Sequence, residues 1–167
     1  MRFFIPMLIF VVIGIVLGKS FQLNPAMPLP STLIGQKAPS FKVSGATEAI
    51  FQGKITLLSV WASWCSSCQK EHEFWVKTPM PHGVQLISLN YHDDEKDAKD
   101  WLLKYDNPYQ ATLFDSDGHL CVDYGISGVP TTFVIDQKGI VQYRHMGVVD
   151  KAAWDNELEP LIKKLAR

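Results

Sequence analysis

The sequence predicts an α/β domain with a central mixed β-sheet that carries helices on both faces. Three observations support this prediction. Strand-like and helix-like segments alternate from residue 55 onward. Ile55–Trp61 is a continuous apolar run, as expected of a strand buried on both faces. Two further strand-like segments, 131–136 and 140–145, flank a turn that contains Gly139 and predict a hairpin.

Composition indicates one globular domain with room for an additional short segment. The chain has 167 residues, of which 47% are hydrophobic and 20% are charged, and its formal net charge is −1. These values are ordinary for a globular protein. A net charge close to zero gives no indication of nucleic-acid binding, so we expect no nucleic-acid partner.

The N-terminal segment predicts a membrane anchor over residues 1–23. Residues 3–18 carry no charge, and as a helix they would span roughly 24 Å of a ~30 Å hydrocarbon layer, with apolarity resuming at Phe21 and Leu23. A cleaved signal peptide is the alternative, because Arg2 supplies a positive start, but no A-x-A-like site follows the apolar run. The charge distribution favours an exported C-terminal domain.

Residues 24–35 contain three prolines and predict an extended tether, and residues 36–167 form the single domain. Within the domain, the remaining predicted elements are a helix over Ser66–Lys77, a strand over 84–90, a helix over 94–105, a strand over Ala111–Asp115 and a last helix capped by Asp150. Pro160 lies inside the apolar pattern of that last helix and should kink or divide it.

The stretch WASWCSSCQKEH, residues 61–72, contains two cysteines separated by two residues. Cys65 follows the buried strand and opens a helix, where unpaired N–H groups and the helix dipole favour a thiolate. Cys68 lies one turn further on, where it could resolve a mixed disulfide formed by Cys65. This pattern predicts thiol–disulfide exchange.

Glu71 shares one helix face with Cys68, His72 and Trp75, and this face should pack on the sheet. A carboxylate is unfavourable there unless it has partners. Glu71 is therefore a candidate proton acceptor for Cys68, which must lose its proton to attack. Alternatively, Glu71 lies at the edge of the apolar face and reaches water.

Other uses of the cysteine pair are less consistent with the sequence. Haem attachment requires histidine directly after the second cysteine, where this chain has Gln69. A zinc site made of Cys65, Cys68 and His72 lacks an evident fourth ligand, and a lone helical histidine is more often a packing or surface residue. A purely structural disulfide would close too small a loop to stabilise much. We expect no cofactor and no resident metal.

The stretch GVPTTF, residues 128–133, places Pro130 at the entry to a strand. The Val129–Pro130 bond is either cis, marking a tight turn, or an ordinary strand-entry bond. Cys121 has no evident partner in the sequence and is interpreted as a packed free thiol. The acidic stretch 92–100 is interpreted as a solvated helix start and not as a metal site.

Together these motifs resemble the thioredoxin fold, and the whole chain resembles the membrane-anchored DsbE/CcmG thiol–disulfide interchange proteins of bacterial cytochrome c maturation. The matching stretches are the N-terminal span, LIGQKAPSF, WASWCSSCQKEH, LNYHDDEKDAKDWL, NPYQATLFDSDG, YGISGVPTTFVID and YRHMG. The resemblance implies a single-pass protein of the bacterial inner membrane with its catalytic domain in the periplasm. Its implied partners are apocytochrome c or cytochrome maturation proteins, with a membrane thiol reductase as electron donor.

The resemblance also implies roles for individual residues. Cys65 would be the attacking thiol and Cys68 the resolving thiol, and Glu71 matches the family's acidic residue after the pair. Pro130 would be the cis-proline that faces the pair. Val129 would offer backbone hydrogen bonds to an extended substrate. Trp64, directly before the nucleophile, completes the expected substrate-binding set.

Four positions depart from the family patterns. Ser66 and Ser67 stand where the family commonly has Pro-Thr, and Thr131 follows the proline where the family often has glutamate. Ser59 occupies the position of the buried acid of ordinary thioredoxins, six residues before the first cysteine. We expect these departures to affect the reduction potential of the cysteine pair and the route by which protons reach and leave it.

Two alternative functions stay open at this point. Anchored thioredoxin-fold copper chaperones hold a soft metal with two cysteines and a distant histidine, here His119 or His145, but they usually space the cysteines by three residues. A general exported thiol oxidoreductase would use the same cysteine pair without cytochrome selectivity.

Overall fold

The computed structural model describes residues 7, 9–15 and 33–167, and it divides the chain into two compact units, Met1–Pro30 and Ser31–Arg167. In the first unit, residues 7 and 9–15 are helical. Among the described residues, no helix combines the length and apolarity needed to cross a bilayer. Most of the predicted anchor over 1–23 and of the tether over 24–35 lies outside the described residues.

The second unit is built on a five-stranded mixed sheet, as the sequence predicts. Its strands are β3 (Ile55–Trp61), β4 (Val84–Tyr91), β5 (Ala111–Asp115), β6 (Thr131–Ile135) and β7 (Val141–Met146). They lie side by side in the order β5-β4-β3-β6-β7, with β3, β4 and β5 mutually parallel and β6 and β7 antiparallel to their neighbours. A separate two-stranded hairpin, β1 (Lys42–Val43) and β2 (Ala46–Thr47), precedes them.

Helices cover both faces of this sheet. They are α1 (Ser66–Lys77), α2 (Glu95–Lys104), α3 (His119–Asp123), α4 (Lys151–Ala153) and α5 (Glu159–Leu165), with a 3₁₀ helix over Glu48–Phe51 and a π-helical segment over Trp154–Leu158. Side chains of α1, α2 and the C-terminal helical segments pack on one face, and those of the 3₁₀ helix and α3 pack on the other.

Strand β3 supplies both cores because its side chains alternate between the two faces. Leu57 lies in the core under α1 and α2, whereas Leu58 lies in the core under α3. All seven residues of β3 are buried, as its continuous apolar sequence predicts. Because β3 is the middle strand of the five, its carboxyl end and the cysteine pair that follows lie at the middle of the sheet.

Most predicted elements are observed with the same or nearly the same bounds. The predicted strand over 84–90 gains one residue, and the helix predicted over 94–105 keeps 95–104, with Asp94 as its N-cap. The hairpin β1–β2 and helix α3 were not predicted. Each contains too few residues to show a periodicity. At the start of α3 the buried Asp115 carboxylate accepts the N–H groups of Leu120 and Cys121.

Pro160 divides the last helix, as predicted. Proline has no N–H to donate, and it lies in the first turn of α5, where that group is not required. The preceding turn widens into the π-helical segment, in which the Glu159 N–H donates to the Trp154 carbonyl. The predicted cap is also confirmed: Asp150 Oδ1 accepts the Ala153 N–H at 2.9 Å.

Replacing the cap should destabilise the fold measurably. We expect Asp150→Ala to lower the free energy of unfolding by about 1 kcal/mol, because a helix N–H loses its acceptor. Asp155→Ala is the matched control, since it removes only an exposed contact with Lys151, worth about 0.5 kcal/mol or less. Urea unfolding of the full chain measures both. If both variants lost the same free energy of unfolding, the cap would contribute no more than an exposed ion pair.

Candidate active site

The cysteine pair lies at the junction of β3 and α1, as the sequence predicts. Cys65 is the N-cap residue of α1, and Cys68 lies in its first turn. The two residues form a disulfide, with their Cα atoms 5.3 Å apart. Cys65 is 7% exposed and Cys68 is 2% exposed, so an incoming thiol or disulfide meets Cys65 first.

Two donors surround the Cys65 sulfur. The backbone N–H of Cys68 donates to Sγ at 3.1 Å, and the Ser67 hydroxyl lies 3.3 Å from the same atom. Both groups belong to the first turn of α1, whose dipole also favours negative charge at this point. In the reduced protein these groups would stabilise a Cys65 thiolate, the form that attacks disulfides.

The second motif lies beside the disulfide. The Val129–Pro130 peptide bond is cis, so the interpretation as an ordinary strand-entry bond was wrong. The Val129 carbonyl oxygen is 3.8 Å from Cys65 Sγ, although the two residues are 64 positions apart. Thr131 turns its hydroxyl back to the Gly128 carbonyl at 2.8 Å, which closes this loop from within. The backbone of Val129 is therefore available next to the reacting sulfur.

Trp64 is 59% exposed and presents an apolar ring directly before Cys65. Its indole N–H donates to the His92 carbonyl at 3.1 Å, and its ring meets the Tyr91 ring edge-on. This arrangement fixes one side of the ring while leaving the other side open. An apolar surface next to the nucleophile suits contact with a partner chain.

A carboxylate from the β4–α2 loop holds the strand-to-helix junction. Asp93 accepts both the backbone N–H of Ser63, at 2.6 Å, and the Ser63 hydroxyl, at 2.8 Å. Asn90 donates to the same carboxylate at 2.9 Å. This contact was not predicted from the sequence, in which the acids around Asp93 were interpreted only as a solvated helix start. No local pattern links Ser63 to a residue 30 positions away, so only the folded structure reveals it.

Glu71 is buried, with 2% of its surface exposed, so the interpretation that it reaches water was wrong. Oε1 accepts hydrogen bonds from the Ser59 hydroxyl and the Trp75 indole N–H, both at 3.0 Å, and from the Thr132 hydroxyl at 3.4 Å. Oε2 accepts the Val149 N–H at 2.9 Å. Glu71 lies one turn after Cys68 on the same buried face of α1, a spacing that puts side chains next to each other.

Burial raises the pKa of the Glu71 carboxyl above its ordinary value, against the lowering effect of the bonds from Val149, Trp75 and Ser59. Because burial outweighs the hydrogen bonds, Glu71 can take up a proton more readily than an exposed carboxylate. This is the property that a proton acceptor for Cys68 needs.

His72, the next residue, is buried on the adjoining side of α1. Its Nε2 lies 2.8 Å from the Asp106 carbonyl and 3.2 Å from that of Tyr105, and its Nδ1 lies 3.4 Å from the Tyr109 hydroxyl. Both ring nitrogens therefore have protein partners. Cys65 and Cys68 are joined to each other, so in this state neither sulfur is a free thiolate ligand.

The two other histidines considered as metal ligands have acidic neighbours of their own or lie at the surface. His145 Nδ1 pairs with Glu157 at 2.8 Å, and His119 is exposed on α3. In the part of the chain that the structure describes, no group of three or more His, Cys, Asp or Glu side chains could hold a metal ion. Cys121 is a buried free cysteine whose thiol pKa is raised by burial, in agreement with its interpretation as a packed thiol.

Comparison with known proteins gives the family. The Redoxin family model matches residues 33–160. The thiol:disulfide interchange protein DsbE of Tatumella citrea is 38% identical, over 98% of this chain and 95% of its own length. DsbE of Escherichia coli K12 is 35% identical, over 98% and 94%. The chain belongs to the DsbE family. It is accordingly a thiol–disulfide oxidoreductase of the thioredoxin-like fold.

Solved structures support the same assignment. A Chlorobium tepidum protein described as DsbE has a TM-score of 0.69 and 28% identity, over 80% of this chain and 98% of its own. StoA from Bacillus subtilis, at 21% identity and a TM-score of 0.58, shares the fold. The thioredoxin-like architecture predicted from the sequence is therefore confirmed.

In this chain the buried acid of the DsbE-family site is Glu71, which lies on helix α1. Ser59 stands where ordinary thioredoxins carry an acid on the strand, and its hydroxyl donates to Glu71 from α1. This buried carboxylate lies on the same helix as Cys68 and one turn after it. The structure thus gives a physical account of the Ser59 departure.

The Ser67 hydroxyl should promote reactivity of the reduced DsbE-family pair. We expect Ser67→Ala to slow alkylation of Cys65 at neutral pH by roughly tenfold, because a hydrogen bond to a charged group contributes about 1.5 kcal/mol. Ser66→Ala is the matched control, since Ser66 is exposed and has no contact with the sulfur in the described structure. Timed iodoacetamide labelling of the reduced chain measures the rate, and equal rates in both variants would contradict this role.

Glu71 should make stability fall with rising pH. Between the ordinary carboxyl pKa and the raised pKa of Glu71, the folded protein keeps a proton that the unfolded chain has released. Stability is therefore lost as pH rises through this window. In Glu71→Gln this loss should be absent. Urea unfolding of both oxidised proteins across the window gives the difference, in which all other titrating groups cancel. If the two curves of unfolding free energy against pH ran parallel, the pKa of Glu71 would be the same in the folded and unfolded states.

Proposed function

We propose that this protein reduces disulfides in apocytochrome c, or in its maturation partners, through Cys65 and Cys68. The carrying observation is the near full-length similarity to DsbE proteins, together with a disulfide that lies at a helix start beside a cis-proline loop. The arrangement supports a chemical cycle in which each predicted site residue has one task.

In the first step the Cys65 thiolate attacks a substrate disulfide. A bond forms between Cys65 Sγ and one substrate sulfur, and the second substrate sulfur leaves with the electron pair and takes a proton from solvent. The Cys68 N–H and the Ser67 hydroxyl lie within 3.3 Å of Cys65 Sγ and stabilise the attacking thiolate. The greater exposure of Cys65 supports its assignment as the nucleophile.

In the second step Cys68 resolves the mixed disulfide. Its thiol gives a proton to the Glu71 carboxylate, its sulfur forms the bond to Cys65, and the bound substrate sulfur leaves with its electron pair and takes a proton from solvent. The substrate gains two electrons and two protons, and the protein becomes the Cys65–Cys68 disulfide. The burial of Glu71 one turn after Cys68 supports this task.

Substrate binding is assigned to Trp64, Val129 and Pro130. An extended peptide can add backbone hydrogen bonds to an exposed edge, with side-chain contacts supplying selectivity. The Val129 carbonyl lies 3.8 Å from Cys65 Sγ, so a peptide paired there would bring its own cysteine to the sulfur. The open side of the Trp64 ring provides an apolar contact next to that peptide.

We assign the chain to the bacterial inner membrane, with residues 1–23 as a retained anchor, 24–35 as a tether and 36–167 as a periplasmic domain. The uncharged segment 3–18 and the three prolines of the tether support this organisation. Electrons would come from a membrane thiol reductase, which attacks the Cys65–Cys68 disulfide and restores the dithiol. No nucleic acid takes part.

Trapping with a peptide tests this function. We expect the full-length Cys68→Ser variant to accumulate a mixed disulfide with an oxidised Cys-x-x-Cys-His peptide, because the attack by Cys65 proceeds and its resolution does not. Cys65→Ser is the matched control and should trap nothing. Mass spectrometry after acid quenching counts the adducts.

The same assay separates the alternatives. If Cys68→Ser trapped unrelated disulfides but did not trap the Cys-x-x-Cys-His peptide, the cytochrome assignment would be replaced by that of a general thiol oxidoreductase. Equal trapping by both variants would overturn the assignment of nucleophile and resolving thiol. One equivalent of tightly held copper on the reduced chain, without exchange, would favour a copper chaperone.

A further inference from the structure

His145 and Glu71 lie on the same face of the sheet. His145 on β7 stands opposite Thr132 on β6, and side chains directly opposite in an antiparallel pair point to the same face. The Thr132 hydroxyl lies 3.4 Å from Glu71 Oε1. The side chain of His145 is only 14% exposed. A second ionisable group therefore stands near the buried carboxylate, and neither exchange step described above uses it.

A single peptide group bridges the two side chains. Nε2 of His145 lies 3.4 Å from the Val148 carbonyl oxygen, and the Val149 N–H donates to Glu71 Oε2 at 2.9 Å. This carbonyl and this N–H belong to the same peptide group, whose planar trans form points them in opposite directions. Hydrogen bonds at the two ends of a polarisable group strengthen each other. The charge on His145 therefore acts on Glu71 through one peptide group.

Glu157 holds the other side of the imidazole. Its Oε2 lies 2.8 Å from Nδ1 of His145 and accepts the Tyr143 hydroxyl at 2.9 Å. The hydrogen bond with His145 lowers the pKa of Glu157, with burial opposing it and Tyr143 adding to it, so Glu157 is an accepting carboxylate. Because the Val148 carbonyl is also an acceptor, only the imidazolium form of His145, with two N–H groups, donates to both. The geometry thus fits a positive charge at His145.

Such a charge helps Glu71 to act as a base. Burial raises the pKa of the Glu71 carboxyl, and a protonated carboxyl cannot take the proton of Cys68. The hydrogen bonds that the carboxylate accepts and the charge of His145 act in the opposite direction. Two opposed effects therefore set the fraction of Glu71 that is ionised.

We propose that His145 keeps Glu71 ionised through the bridging peptide group. His145 is then a positioning residue for the proton acceptor, and the inference rests on the role of Glu71 proposed above. No proton passes between the two residues: Cys68 gives its proton to the Glu71 carboxylate, while His145 keeps both of its own. His145 thus acts on the second step of exchange and leaves the first step unaffected.

The ionisable groups that act on this pair come from several elements. They are Glu157 in the π-helical segment, Tyr143 on β7, Asp150 before α4 and Tyr109 before β5. Asp150 opposes the ionisation of Glu157, and burial raises the pKa of Tyr109 so that it stays neutral. Because these groups are the same in every variant considered below, a difference between variants reports on His145.

Infrared titration of the oxidised full-length chain measures Glu71 directly. The C=O band of a protonated carboxyl is separate from the carboxylate bands, and comparison with Glu71→Gln assigns it. His145→Gln keeps a donor for the Val148 carbonyl and removes the charge, so we expect Glu71 to lose its proton at a higher pH than in the wild type. His145→Arg keeps a positive charge and should stay close to the wild type. His119→Gln is the matched control, because His119 lies on α3 beside an acid of its own, Asp117.

The second step of exchange shows what the charge does for the reaction. The reduced full-length chain is mixed with an aromatic disulfide, whose first coloured thiolate reports the attack of Cys65 and whose second reports the attack of Cys68. Below the wild-type transition of Glu71, we expect the second thiolate to appear about threefold later in His145→Gln, since less of the carboxylate is ionised there. At higher pH, where Glu71 is ionised in both proteins, the rates should meet. The first thiolate should appear at the wild-type rate throughout.

The outcomes separate this inference from the function on which it rests. An unchanged Glu71 transition in His145→Gln overturns the inference, and so does an equal shift in His145→Arg, because the charge would then not be the cause. A second thiolate slowed equally at every pH also overturns it, since the loss would then be structural. So does a further slowing when His145→Gln is added to Glu71→Gln, because His145 would then act elsewhere. A normal second thiolate in Glu71→Gln overturns the role of Glu71, while the infrared titration still decides whether His145 acts on it.

Discussion

The geometry of the site depends on the hydrogen bonds that the buried Glu71 carboxylate accepts. A buried charge costs several kcal/mol unless donors replace the water it has lost. Here those donors come from different parts of the chain: Ser59 on β3, Trp75 on α1, Thr132 on β6 and Val149 before α4. The carboxylate thus fixes the distance of α1 from two strands and from the start of the C-terminal helix, and Cys68 lies on the same face of α1.

Around this fixed centre, the parts that meet a partner lie on loops. The Val129–Pro130 loop approaches Cys65 from the β6 side, and the junction that carries Trp64 is held from the other side by Asp93 and the His92 carbonyl. Loops placed by a rigid sheet and helix are a common way to combine precise chemistry with a surface open to partners. The sulfur chemistry uses the first turn of α1, whereas recognition uses the loops on either side of it.

Local patterns were sufficient to predict the sheet, helix α1 and the cysteine pair, because each depends on residues close together in the chain. Ile55–Trp61 and Ser66–Lys77 have the predicted bounds. The burial of Glu71 could not be decided, since its donors Ser59, Thr132 and Val149 lie 12, 61 and 78 positions away. The Asp93 contact was missed for the same reason, because its partner Ser63 lies 30 positions away. Helix α3 was missed because its five residues are too few to show a periodicity.

The position of Cys121 affects whether the active-site cysteines pair only with each other and with their substrates. A protein that continually makes and breaks disulfides risks capturing its own third cysteine, which would lock the active pair in a wrong bridge. Cys121 lies in the core on the far side of the sheet from Cys68, and burial keeps its sulfur as an unreactive thiol. The sheet therefore separates Cys121 from the cysteine pair, and we expect Cys121 to form no disulfide with either active-site cysteine.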